Sequence, residues 1–188
     1  YSGNTENNIF VLDESLDQIS SLTDLAPGES IYSVRFYGET IYMVTFVEVD
    51  PLFVIDASDP YHLSVLGELK IPGYSNYMQL IGDNLLLAIG NETYTDYGSV
   101  IPAGLKIAVF DVSDPENPVL VSSLVYGDSY GSSSVSYNPK NLLINMNRGL
   151  IGLPVSFDKI SKNNEYEYEE GFLLLHIDSA GNLTQECL

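Results

Sequence analysis

Val109-Phe110-Asp111-Val112-Ser113-Asp114-Pro115-Glu116-Asn117-Pro118-Val119-Leu120 decides how the chain is read. An apolar run ends in Asp, a Ser-Asp-Pro turn follows, and a second apolar run returns. The same phrase occurs as Val54-Ile55-Asp56-Ala57-Ser58-Asp59-Pro60 ahead of Leu63-Ser64-Val65-Leu66. Weaker copies stand at Val11-Leu12-Asp13 and His176-Ile177-Asp178. In such a turn Asp and Ser bond nearby backbone amides and Pro presets a turn dihedral. Four copies of one strand-turn-strand unit define a repeat protein.

Working outward from these turns gives the units. Ile31–Phe36, Ile41–Phe46, Leu52–Ile55 and Val65–Ile71 read as four short antiparallel strands between the breakers Ala26-Pro27-Gly28 and Pro72-Gly73. Tyr77–Ile81, Leu85–Ile89, Leu105–Phe110 and Val119–Val125 repeat the pattern, with Asn91–Gly104 read as a long loop insertion. Leu142–Met146, Leu150–Phe157, Phe172–Ile177 and a strand from Leu183 repeat it again, with Asp158–Glu170 as a second polar insertion. Ile9–Leu12 and Ile19–Leu25 supply half a unit, and residues 1–8 are expected to fray. The units are thus 9–28 (half), 29–73, 74–127 and 128–188, their growth assigned to loops while strand lengths hold steady. No stretch keeps apolar residues at helical spacing for three turns, so no helix is expected. The third strand of each unit (Leu52-Phe53-Val54-Ile55, Ile107-Ala108-Val109-Phe110, Phe172-Leu173-Leu174-Leu175) is apolar on both faces and must be covered on both. Stacking of neighbouring units supplies that cover.

Composition narrows the function classes. The chain has 188 residues, 45% of them hydrophobic, enough for one domain with a core. No apolar run is long enough for a membrane-spanning helix. A net charge of -19, from 26 acidic against 7 basic residues, disfavours nucleic acid and anionic lipid and favours cationic partners or divalent cations. The single cysteine, Cys187, excludes an internal disulfide framework and a cysteine-rich zinc site.

Gly104-Leu105-Lys106-Ile107-Ala108-Val109-Phe110-Asp111 through Val119 is similar to the LVIVD repeat of bacterial and archaeal β-propellers. Ile31–Phe36, Val44-Thr45-Phe46, Asp50–Asp56 and Leu66–Gly73 resemble secreted proteins with a C-terminal β-propeller domain, distantly related to WD-type propellers. The resemblance implies an all-β fold, a partial β-propeller of antiparallel four-stranded blades, with three whole blades plus one half. It implies an extracellular or cell-surface location in a bacterium or archaeon. That family often carries a histidine where this chain has Met78-Gln79-Leu80, and Asp-His-Lys where it has Asn138-Pro139-Lys140, so no site built on those histidines is expected. The chain opens and closes on the same half of a blade. The remaining blades of a longer protein, or a second copy, are therefore expected as partners at its open sheet edges.

In a propeller the links from strand two to three, and from blade to blade, open on one face. Here that face collects Glu48 and Asp50, Tyr74 and Tyr77, Tyr94, Asp96 and Tyr97, Tyr126, Asp128 and Tyr130, then Tyr166, Glu167, Tyr168 and Glu169. Tyrosine with carboxylates suits recognition of a protein or glycan: rings stack on sugars or methylene chains, and acids meet hydroxyls or cations. Tyr74, Tyr77, Tyr94, Asp96, Tyr97, Tyr126, Asp128, Tyr130, Tyr166 and Tyr168 are the candidate binding residues. The repeated turn aspartates are read as structural, with calcium ligation as the alternative. No nucleophile or metal partner accompanies His62 or His176, and HExxH and Walker patterns are missing, so no catalytic residue and no cofactor are assigned. A non-catalytic extracellular binding module is the expected function. A metal-assisted hydrolase or lyase in the propeller funnel is the alternative. Asn91-Glu92-Thr93 and Asn182-Leu183-Thr184 match the glycosylation sequon.

Overall fold

A computed structural model describes residues 5–46, 50–161, 163 and 165–188, with Asp50 described for its backbone only. Glu48 and the Asp50 side chain, expected on the loop face, lie outside the described part. Fifteen strands are described: β1 (Asn7–Leu12), β2 (Gln18–Leu25), β3 (Ser30–Tyr37), β4 (Thr40–Phe46), β5 (Asp50–Asp56), β6 (Ser64–Ile71), β7 (Tyr74–Ile81) and β8 (Leu85–Asp96) come first. They are followed by β9 (Ser99–Asp111), β10 (Val119–Tyr126), β11 (Gly131–Ser132), β12 (Leu143–Asn145), β13 (Leu150–Ile160), β14 (Tyr166–Ile177) and β15 (Leu183–Cys187). They form a two-stranded sheet β1-β2, four-stranded meanders β3-β4-β5-β6 and β7-β8-β9-β10, and a last sheet β11-β13-β14-β15 in which β12 also pairs with β13. Every pairing is antiparallel. The molecule is an all-β partial propeller of three whole sheets and one half.

The core lies between sheets. Leu25, with Ile9 and Leu22 beside it, packs on Ile41, Met43, Phe53 and Ile55. The other face of that second sheet (Tyr42, Val44, Leu52, Val54) meets Met78, Leu86, Ala88, Ala108 and Phe110 of the next. Leu87, Ile89, Leu105, Ile107 and Val109 then meet Ile151, Leu153, Val155, Leu173, Leu175 and Ile177. Alternation along each strand sends neighbouring residues to opposite interfaces, which is why the third strands are apolar on both faces. Burial of each such side chain contributes about 1.5–3 kcal/mol. Gly67 lets the sheets approach: a Cβ there would stand 2.4 Å from the Pro115 carbonyl oxygen in the next unit's turn.

Three expectations are corrected. Asn91–Gly104 is not a loop; it lengthens β8 and β9 into a hairpin whose ladder runs on through Thr93↔Pro102, Tyr94↔Ile101 and Asp96↔Ser99. Asp158–Glu170 likewise lengthens β13 and β14, which pair out to Ile160↔Tyr166. The growth of the repeat therefore falls largely in strands, because Thr93, Tyr94, Thr95, Val100 and Ile101 are β-formers despite their polar neighbours. Near the N-terminus Asn7 is buried, not frayed, and its Nδ2 donates to the carbonyls of Leu25 (3.0 Å), Ala26 (3.1 Å) and Glu29 (3.1 Å). Among the described residues three single 3-10 turns occur, at Ser134–Ser136, Pro139–Asn141 and Met146–Arg148, too short to show a periodicity.

Candidate binding face

In an antiparallel meander successive turns alternate between the two ends of the sheet. The repeated aspartates all fall at one end, and there they bond their own turns. Asp13 Oδ1 accepts the amides of Ser15 (2.8 Å) and Asp17 (2.9 Å), and Asp56 Oδ1 that of Ser58 (2.9 Å). Asp111 Oδ1 accepts the Ser113 amide at 2.8 Å, and Asp178 Oδ1 those of Ala180 and Asn182, both at 2.9 Å. These bonds favour the charged form. Asp56 is held below the usual carboxylate range by the Ser58 amide and hydroxyl, Asp111 by the Ser113 hydroxyl and amide, and Asp178 by the Asn182 side chain and amide. Among the described residues no three His, Cys, Asp or Glu side chains converge as a metal-ligand group.

His62 Nδ1 lies 2.8 Å from Asp59 at this same end. His176 is half-buried on β14. Both sequon amides are in use: Asn91 Nδ2 donates to the carbonyls of Gly104 (3.2 Å) and Gly131 (2.6 Å), and Asn182 Nδ2 to Asp178 Oδ2 at 2.8 Å.

The opposite end carries the aromatic loops. The β8–β9 hairpin turns through Tyr97 (φ +46) and Gly98 (φ +78), two successive left-handed residues of the kind a two-residue hairpin turn demands. Gly accepts that backbone freely; a bulky L-residue does not. Tyr97 nevertheless occupies it, fully exposed at 102%, with Tyr94 and Asp96 exposed just below.

A second group gathers on the last sheet. Asp158 on β13 accepts the amides of Tyr130 (2.7 Å), Ser129 (3.1 Å) and Asp128 (3.3 Å), and the Ser129 hydroxyl at 2.5 Å. The Ser129 hydroxyl first, and the three amides with it, hold its carboxyl at about 2. Asp128 Oδ2 returns the bond by accepting the Ile160 amide at 2.6 Å. The clasp brings Tyr130 against Tyr168, with ring centroids 6.4 Å apart and planes 26° from parallel. The Tyr130 hydroxyl meets Ser132 Oγ at 3.2 Å, and the Tyr168 hydroxyl bonds Ser156 Oγ. Ser132 and Ser156 are register partners, as are Ser156 and Glu170, so these side chains form one row across three strands. Beside the row lies a cleft of about 420 Å³ bounded by Ser132, Ser134, Tyr137, Pro154, Ser156 and Glu170.

The remaining candidates are dispersed. Tyr74 clusters with Tyr32 (4.9 Å between centroids) and Phe46 (5.0 Å). Tyr126 is half-buried against Phe157, and that burial raises its hydroxyl's pKa. Tyr166 is exposed where β14 begins. Tyr77 is buried in the core, its hydroxyl 2.5 Å from Gln79 Oε1 and its ring under the Arg35 guanidinium at 4.9 Å, so it presents no ring to a ligand.

Sequence reasoning missed Tyr32, Phe46, Ser132, Ser156, Asp158 and Glu170. Alternation in Ser156-Phe157-Asp158 and in Tyr166-Glu167-Tyr168-Glu169-Glu170 was the available signal for the last group, since period two puts every second residue on one face. Lys106 spans the link between two sheets, buried, with Nζ 2.7 Å from the Pro72 carbonyl and 2.8 Å from Glu92.

Comparison with known proteins gives the following. The family described as "Beta propeller domain" matches residues 1–187. An uncharacterised protein of Methanocaldococcus jannaschii is 50% identical over 112 residues, which is 60% of this chain and 17% of that protein. Another, from Archaeoglobus fulgidus, is 32% identical over 170 residues, 90% of this chain and 25% of that one. The chain thus spans a quarter or less of the length of these relatives. A solved structure titled as a hypothetical selenium-binding protein from Sulfolobus tokodaii superposes with a TM-score of 0.59 at 13% identity, over 92% of this chain and 43% of that one. At that identity the likeness is one of fold.

Proposed function

This chain belongs to the β-propeller domain family, and from that premise we propose that it is part of a non-catalytic binding module. The module recognises a protein or glycan through the tyrosine- and acid-rich end of its sheets. The observation that carries this reading is Tyr97. Its ring is buried against nothing, and its backbone sits where Gly or Asn is preferred, so neither packing nor turn chemistry accounts for a tyrosine there. The clasped Tyr130–Tyr168 pair supports it, because rings held in place before a ligand arrives lose little freedom on binding.

The module works at the cell surface or outside the cell, a reading supported by the resemblance of residues 29–90 to secreted propeller proteins. Its partners in assembly are further blades. At repeat-equivalent positions Leu52 and Ile107 are buried by the following sheet, whereas Leu174 is only half-buried, and Phe172 on the same face as Leu174 is half-exposed. A net charge of -19 opposes a second copy as the cover at low salt.

The test is a photoreactive phenylalanine analogue at position 97 in the otherwise intact protein, presented to host cell-surface extract and, in parallel, to a glycan array. A defined cross-linked partner, or array binding lost on Tyr97→Asn, is the expected result. Absence of both a cross-link and array binding overturns the reading.

A further inference from the structure

We propose that the cleft beside the Tyr130–Tyr168 pair is a subsite for a neutral saccharide ring; this rests on the reading that this end of the sheets binds ligands. Four hydroxyls stand in a row there, Tyr130 on Ser132 and Tyr168 on Ser156, across register-paired strands. Each hydroxyl carries one donor and two acceptor sites, so after pairing with its neighbour each retains capacity for a ligand hydroxyl. The Glu170 carboxylate has no side-chain partner among the described residues and lines the same cleft, where it accepts from vicinal hydroxyls. The exposed, stacked tyrosines supply ring faces for the apolar side of a sugar. A volume of about 420 Å³ is within the range of small-ligand sites.

The charge pattern selects among sugars. None of the described residues lining the cleft is cationic, and Lys159 further along β13 is already paired with Glu167 and Glu169. With Glu170 in the cleft and -19 overall, uronic, sialic and sulfated glycans are repelled. Neutral hexoses and N-acetylhexosamines are the class that fits.

The experiment uses an array of neutral, amino and acidic oligosaccharides, followed by calorimetric titration of the best neutral oligosaccharide into the intact protein and four variants. Tyr168→Phe keeps the ring and removes the hydroxyl; Ser156→Ala and Glu170→Gln remove single polar contacts; Tyr61→Ala, exposed at the opposite end of the sheets, is the control expected to leave binding unchanged. Circular dichroism checks that each folds. Neutral sugars binding, with three- to tenfold weakening by Tyr168→Phe, Ser156→Ala or Glu170→Gln, is expected. Binding confined to acidic or amino sugars, or unmoved by all three cleft variants, overturns the proposal. An array without any neutral sugar bound also overturns it. A partner still cross-linked from position 97 then leaves the broader binding reading standing, and loss of both signals removes the two together.

Discussion

Asp158 and Asp128 hold one another's loops: Asp158 Oδ1 takes the Tyr130 amide at 2.7 Å, and Asp128 Oδ2 takes the Ile160 amide at 2.6 Å. The exchange fastens the link leading into the last sheet onto the hairpin that carries Tyr168. The Tyr130 ring is thereby held beside Tyr168 by backbone bonds made elsewhere. Asp158→Ala leaves three amides and a serine hydroxyl without their acceptor. A loss on the order of 1 kcal/mol of stability is expected, since water replaces part of what is removed at an exposed site. Faster amide exchange at Ser129 and Tyr130 is the accompanying sign. Unchanged exchange there would show that the clasp does not order the loop.

The same carboxylate sets an acid dependence. Its folded-state pKa, about 2, lies below the ordinary value of 3.8, so the charged form favours folding. That contribution is full well above pH 4 and is lost as pH falls from about 4 to 2. Asp56, Asp111 and Asp178 are shifted the same way by their own turns and add to it. Thermal melts between pH 5 and 2 are expected to show a steep fall, made shallower by Asp158→Asn. Because these turn oxygens already accept amides, calcium at millimolar concentration or a chelator is expected to leave Tm unchanged at pH 7. A calcium-dependent rise would reassign the turns as ligands.

Tyr97 sets stability against recognition. Asn tolerates a positive φ better than tyrosine, so Tyr97→Asn is expected to raise stability by about 0.5–1 kcal/mol. The same change is expected to weaken ligand binding. A denaturant melt gives the first quantity and titration the second. A variant that loses stability would argue that the ring packs on the protein after all.

Leu174 occupies a position whose counterparts on the preceding sheets, Leu52 and Ile107, are buried by a neighbour, and Phe172 lies on the same face. At low salt the charge of -19 is expected to keep chains apart. At about 1 M salt, where the screening length falls to about 3 Å, the open apolar face is expected to drive association. Sedimentation velocity across a salt series reads this directly, and Phe172→Glu is expected to keep the chain monomeric throughout. Association that Phe172→Glu leaves untouched would place the sticky surface elsewhere, for example on the exposed Phe10 and Leu12 of β1.

The repeat of apolar run, Asp, Ser-Asp-Pro and apolar run determined the architecture by itself, because short-range rules govern each part. Alternation assigns faces, Asp and Pro build the turn, and a strand apolar on both sides needs two neighbours. The structural part of the turn aspartates was legible on the same local grounds. Only the tertiary structure decided which tyrosines serve as rings on a surface. Tyr77 and Tyr97 read alike in sequence, yet one is buried beneath Arg35 and the other stands free at a hairpin tip. Tyr130 and Tyr168, far apart in the chain, meet because Asp158 ties two loops together across antiparallel strands. Such placement depends on long-range register, and residue type along a single strand carries no record of which partner lies opposite.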